Sequence, residues 1–194
     1  MVSDIIDTYT EEVFISNTLV KIKKQFRPLA SVKTKWFIHR ILPKDTILVE
    51  WENRARLELE IDISQWFSNR IYLEQLLWQE LALIRDELDP NFKYSSDYVT
   101  LTYGPESPRQ RYFPVIRIVW NVYCCGRLYR RSLPLSPLED IKSQFYQCFG
   151  ENQAIQDWFN KLFFETTEYT FGDLEKIAQK VHRLKSTSDD TKFK

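Results

Sequence analysis

Between Arg109 and Arg131 the chain carries Arg109, Arg111, Arg117, Arg127, Arg130 and Arg131, with Tyr112, Tyr123 and Tyr129 interleaved. A guanidinium presents a planar donor fork to carboxylate or phosphate, and a tyrosine offers contact area at low entropy cost. Read as strands, this segment puts Arg117 and Tyr123 on one face, opposite Ile116, Ile118 and Trp120. A turn at Gly126 then returns Arg127 to Arg131 beside them. The candidate partner-binding residues are therefore Arg117, Tyr123, Arg127, Tyr129 and Arg130. Such a face docks an acidic protein surface, or stacks bases and grips phosphates. The structural alternative is a wet face with arginine stems lying along tyrosines. With 27 basic and 27 acidic residues the formal net charge is zero, so no global field steers the chain to nucleic acid. A protein partner is the leading expectation and nucleic acid the second.

Other chemistry finds less support. Glu58, Glu60 and Asp62 alternate with Leu57, Leu59, Ile61 and Ile63, so the three carboxylates share an outward strand face. Paired carboxylates can do acid–base work or hold magnesium, yet the same alternation is the pattern that keeps a strand edge soluble. The segment Trp78-Gln79-Glu80-Leu81-Ala82-Leu83 puts Gln79 and Leu83 where a zinc peptidase helix needs two imidazoles, leaving Glu80 with no metal-activated water. The histidines are His39 and His182 alone, and Cys124, Cys125 and Cys148 lack metal-finger spacing. No metal or cofactor is expected, and no catalytic residue is assigned. Cys124 and Cys125 stand near the expected hairpin turn, where Arg127 would favour a thiolate. On a strand, one of the pair would be core and the other surface. Four glycines leave no phosphate-cradling loop.

The run Ile61-Asp62-Ile63-x-x-Trp66, followed by Leu76-Leu77-Trp78-Gln79-Glu80-Leu81-Ala82-x-Ile84, resembles an uncharacterised family of cyanobacterial and plastid proteins. In that family a strand ending in Trp precedes a helix with a Trp-His-Glu-hydrophobic-Ala-x-Ile pattern. The resemblance covers residues 57–88, departs at Gln79 where the family has His, and needs a one-residue shift between strand and helix. It implies a photosynthetic host and supplies no catalytic residue. Members of the family often continue into membrane segments, and no apolar run of that length occurs here.

Periodicity predicts the helices and strands that carry these residues. Ile5, Ile6, Tyr9, Val13, Leu19, Ile22 and Phe26 predict a helix over 3–26, stopped by Pro28. Residues 32–41 are expected to be extended. Ile47, Val49 and Trp51 alternate before the 57–63 strand, and Asn53-Arg54-Ala55 would join the two as a hairpin. A helix over 68–88 follows, with Ser68 as N-cap, and Leu59 and Ile61 are expected to be buried against it. Tyr98 to Tyr103 reads as a strand, 106–111 as a polar loop, and 113–124 with 127–135 as a second hairpin. Ser136-Pro137-Leu138-Glu139 opens a helix running to Cys148, and two further helices are expected at 152–165 and 171–184.

The predicted fold class is α+β: a mostly antiparallel sheet of hairpins on a long central helix, with a helical C-terminal third. One domain over 1–185 and a polar tail over 186–194 are expected. No transmembrane segment is expected, and three cysteines without framework spacing suggest a reducing compartment, the cytoplasm or an equivalent. The expected function is that of a non-enzymatic protein-binding adaptor or assembly factor. The alternatives are a nucleic-acid-binding subunit of a larger ribonucleoprotein or defence complex, and a divergent hydrolase or transferase with a carboxylate site.

Overall fold

The structure is a computed structural model that describes residues 2–30, 32–39, 47–52, 56–62, 70–95 and 108–189, with side chains described over 13–30, 32, 70–95 and 112–185. The chain divides into two compact units, Met1–Leu88 and Asp89–Lys194.

In the first unit, α1 (Val2–Gln25) ends before Pro28, and a short 3-10 turn covers Arg27–Leu29. Ile15, Leu19 and Ile22 recur at helical spacing on α1 and are buried. They pack on α2 (Arg70–Leu88), whose Leu73, Leu77, Leu81 and Ile84 form the matching stripe. Each such side chain contributes about 1.5–3 kcal/mol on full burial. Phe26 meets Trp78 edge to face at 5.7 Å, which fixes the C-terminal end of α1 against α2. The Lys23 ammonium donates to the Val32 carbonyl at 2.7 Å, holding the chain after the turn, and burial pulls its pKa below the ordinary lysine value.

Three strands separate the two helices: β1 (Lys33–His39), β2 (Ile47–Glu52) and β3 (Arg56–Asp62). β2 and β3 pair antiparallel, Val49 opposite Leu59. β3 occupies the centre of the order β1-β3-β2, and β1 pairs with it in parallel, Trp36 opposite Leu59. Antiparallel neighbours need only a short turn, whereas the parallel pair is joined by the whole of β2 as a crossover. The expected burial of Leu59 and Ile61, the Ser68 cap and the Tyr98–Tyr103 strand lie outside the described side chains or residues.

The second unit overturns the expected fold class. Residues 113–130 of the expected second hairpin lie in one helix, α3 (Pro108–Arg130), and Gly126 lies inside it rather than at a turn. Ile116, Val119, Trp120 and Tyr123 are buried at helical spacing, and Val122, Cys124, Cys125 and Leu128 are buried beside them. A helix buried on most sides reads as a continuous apolar run, which periodicity alone does not distinguish from a core strand. α3 ends where Ser132 enters the left-handed region at φ +53°, and the Leu133 amide returns to the Leu128 carbonyl at 3.0 Å. Apart from Phe26, Val32 and Phe92, every described buried side chain belongs to a helix. The protein is thus predominantly helical, and the α+β description with a mostly antiparallel sheet is withdrawn.

Three helices complete this unit: α4 (Leu138–Phe149), α5 (Gln153–Phe164) and α6 (Phe171–Asp189). Their core is aromatic. Phe145, Phe149, Phe159 and Phe163 are fully buried and in ring contact. A second cluster joins Phe92 and Tyr94 to Trp120 and Phe171.

The helix starts show which caps form. Pro137 occupies the N-cap of α4, so the Ser136–Glu139 box is displaced, and Glu139 pairs instead with Lys142 at 3.0 Å. Asn152 caps α5 by accepting from the Ile155 amide at 3.1 Å. At α6 the box is reciprocal. The Thr170 amide and hydroxyl donate to Asp173 Oδ2 at 3.1 and 2.6 Å, and the Asp173 amide donates to Thr170 Oγ1 at 3.3 Å.

The Thr170 hydroxyl, and after it the Thr170 amide, hold the Asp173 carboxyl below its ordinary value of 3.8. A carboxyl depressed on folding contributes stability that is complete above its unfolded pKa and is lost as pH falls through the folded one. Thermal unfolding followed from about pH 5 to pH 2 should therefore show an acid-side loss that Asp173→Asn reduces. At neutral pH the same variant should be less stable by about 0.5–1 kcal/mol, as for a charge lost at a helix N-terminus. An Asp173→Asn acid limb superimposable on wild type would contradict this cap.

Candidate functional site

On a helix the five candidate residues divide differently from the expected strand pattern. Tyr123, Arg127 and Arg130 stand at i, i+4 and i+7 and share a face, whereas Arg117 and Tyr123, six residues apart, do not. Arg117 is exposed nearer the start of α3.

The shared face is turned inward. Tyr123 is 3% exposed, and its hydroxyl accepts from the Tyr169 amide at 3.2 Å. The Arg127 guanidinium lies 4.5 Å over the Tyr123 ring and donates from Nη2 to the Cys124 sulfur at 3.1 Å. Arg130 donates from Nη1 to the Phe163 carbonyl. That oxygen belongs to the last turn of α5, where carbonyls lack helical partners, so a cation there meets both an orphan acceptor and the negative end of the helix dipole. Burial lowers the Arg130 pKa, and Arg127 and Arg131 push it the same way against Tyr123. A guanidinium remains charged regardless. Tyr123, Arg127 and Arg130 thus help to hold the unit together.

Gly126 makes the Arg130 contact possible. A Cβ at this position would sit 2.7 Å from the Phe163 Cα and 2.9 Å from its carbonyl carbon. Only a glycine lets the α3 backbone approach α5 so closely.

Tyr129 is the member of the set that faces solvent at this end. It is 49% exposed, and its ring meets buried Phe163 at 5.3 Å and Phe164 at 5.9 Å. Phe164 is itself 44% exposed. The last turns of α3 and α5 therefore present two touching, solvent-facing aromatic rings, with exposed Arg131 next in sequence to Arg130. Phe164 was not among the candidates. Its signal was available: Ile155, Phe159, Leu162 and Phe163 form the apolar stripe of α5, and Phe164 lies off it.

Cys124 and Cys125 are both buried, because adjacent positions on a helix enclosed on most sides are not split between core and surface as on a strand. Cys148 is half-buried, and burial raises its thiol pKa against the opposing pull of Lys185. A raised thiol pKa keeps it protonated at neutral pH, the reverse of an activated nucleophile. Gln79 and Leu83 are buried, and Glu80 is half-buried. In the sheet register Glu58 stands between Lys35 and Glu50, and Asp62 opposite His39. Among the described residues, no three His, Cys, Asp or Glu side chains gather as a metal site, and no helix is long and apolar enough to cross a membrane. No family model, no curated protein and no solved structure matches this chain.

Proposed function

We propose that the protein acts as a protein-binding adaptor or assembly factor, and that its partner docks on the end of the second unit where α3 and α5 finish. One observation carries this reading: Tyr129 and Phe164 are 49% and 44% exposed while their rings touch. Single exposed apolar residues are ordinary, but adjoining aromatics next to arginine match the composition of binding hot spots. Here the rings rest on buried Phe163 and so present a surface backed by rigid packing. Arg131 adds a guanidinium suited to a carboxylate on the partner. Of the residues first singled out, Tyr129 belongs to this surface directly. Tyr123, Arg127 and Arg130 support it from beneath, and Arg117 lies elsewhere on α3.

The test is the double variant Tyr129→Ser, Phe164→Ser, compared with wild type for association with the protein that co-purifies from the native host. Hot-spot aromatics contribute about 2 kcal/mol or more each, so loss of one should lower affinity roughly thirtyfold and loss of both, if additive, roughly a thousandfold. Both side chains are about half exposed, and stability should change by only about 0.5 kcal/mol. Wild-type affinity in the double variant would overturn the assignment. Charge reversal at Arg130 is a poorer test, because it also removes the donor to the Phe163 carbonyl.

A further inference from the structure

Residues 150–152 link α4 to α5, and the two helices border a groove of about 720 Å³. That volume lies inside the range of small-ligand sites, about 300–1,000 Å³. Ser143, Tyr146 and Gln147 line it at i, i+3 and i+4 along α4, and Gln156 and Asn160 at i and i+4 along α5. Tyr146 supplies the single ring of the lining. It packs on Phe145 at 5.9 Å and on Phe159 at 5.8 Å, both fully buried. Burial raises the Tyr146 phenol above its ordinary 10.0. Lys142 opposes the rise while Glu151 and Glu139 add to it, so all three charges stand within electrostatic reach of the hydroxyl. Tyr146 and Gln156 are half-buried. Among the described residues, no group hydrogen-bonds the Tyr146 hydroxyl or the side-chain amides of Gln156 and Asn160.

This lining selects a class of ligand. An anion is disfavoured, because two carboxylates face one ammonium and Lys142 already meets Glu139 at 3.0 Å. An apolar ligand would meet one ring among seven polar side chains and would strip water from them. A cation would use Glu151 and leave the amide N–H groups unmatched. Sugar hydroxyls both donate and accept, as side-chain amides do, and the C–H face of a sugar covers an aromatic ring. Water alone accounts for polar side chains on a convex helix face. It does not account for a concavity of ligand size whose lining combines a rigidly packed ring with three unbonded polar groups. We propose that the groove between α4 and α5 binds a neutral saccharide, with Tyr146 against a sugar ring and Gln156, Asn160 and Glu151 bonding its hydroxyls. The site shares no residue with the Tyr129–Phe164 surface and stands or falls separately.

Saturation transfer from the full chain to maltotriose, cellotriose and chitotriose reads binding, and the side-chain amide resonances of Gln156 and Asn160 locate it. At least one trisaccharide should give saturable transfer and move both resonances. Gln156→Ala with Asn160→Ala should weaken binding about tenfold or more, since two hydrogen-bonding groups are lost. Alanine suits a helix at both positions, whereas Tyr146→Ala would also remove a ring packed on Phe145 and Phe159. Glu151→Gln keeps a group that bonds hydroxyls and should retain most of the sugar binding. Spermidine serves as the cationic probe, and its binding would depend on the Glu151 charge. Tyr129→Ser with Phe164→Ser should leave the trisaccharide titrations unchanged. The proposal is wrong if no trisaccharide binds, if the Gln156 and Asn160 resonances stay still, or if the folded double amide variant binds like wild type. Binding of spermidine alone, abolished by Glu151→Gln, would overturn it in favour of a cation site.

Discussion

Gly126→Ala should destabilise the protein by about 3 kcal/mol, the upper end of what overpacking a tight site costs. In an ordinary helix interior the same replacement stabilises by about 1 kcal/mol, because alanine loses less backbone freedom on folding. The sign is reversed here by what a methyl group would meet. Its nearest neighbour would be the Phe163 carbonyl oxygen, followed by the Phe163 Cα and carbonyl carbon at 2.7 and 2.9 Å. These are backbone atoms, so no side-chain rotation relieves the overlap and α5 has to move as a body. That shift would also pull the Phe163 carbonyl from Arg130 and loosen the Tyr129–Phe163 ring contact. Urea unfolding of the two proteins measures the effect directly. An alanine variant as stable as wild type, or more so, would mean that α3 and α5 do not approach at this point.

Phe159→Ala should cost about 3–5 kcal/mol, the usual loss for emptying a buried phenylalanine site. Phe159 is fully buried and touches three other rings. It lies 5.5 Å from Phe145, 5.8 Å from Tyr146 and 5.5 Å from Phe163, the last pair stacked at 11°. Partners on α4 and α5 are both part of the site, so its walls cannot close by moving one side chain. A domain of this size has only about 5–15 kcal/mol in total. The variant should therefore unfold at much lower urea, while Phe164→Ala, at a half-exposed site one helix position beyond Phe163, should change stability by about 0.5 kcal/mol. Equal losses at positions 159 and 164 would contradict the inward and outward assignment of α5.

These two positions also show where the sequence was legible. The stripe Ile155, Phe159, Leu162, Phe163 has helical period and a polar opposite face, so α5 was readable from its own residues. The same holds for α1, α2, α4 and α6, which form within a few residues of their expected bounds. α3 was not readable. Its middle is enclosed on most sides, so Val115 to Cys125 is an apolar run interrupted only by Arg117 and Asn121, and it carries the β-branched content of a strand. Gly126 resembled a turn residue because its actual role, admitting the α5 backbone, depends on a neighbour far away in sequence. Once the period changed from two to 3.6, the grouping of the arginines and tyrosines changed with it. Arg117 left the set, Tyr123 turned inward, and Tyr129 gained Phe164 as its neighbour.

Local signals also varied in value with context. Ser136-x-x-Glu139 and Thr170-x-x-Asp173 carry the same capping pattern, but Pro137 displaces the first and only the second closes. The parallel pairing of β1 with β3 had no local signature. Hairpin logic links neighbours in sequence, and here the central strand is the last of the three.

Photocrosslinking from position 131 tests the proposed partner surface most directly. Arg131 is exposed, follows Arg130 at the end of α3 and stands two residues after Tyr129 without being part of the Tyr129–Phe164 pair. A photoreactive residue at position 131 should crosslink to the protein that co-purifies from the native host, and the crosslink should vanish with Tyr129→Ser and Phe164→Ser. A control probe at exposed position 93, in the loop before α3, should give no such product. Crosslinking of that partner from position 93 but not from 131, or a crosslink at 131 that survives loss of both aromatics, would contradict the assignment.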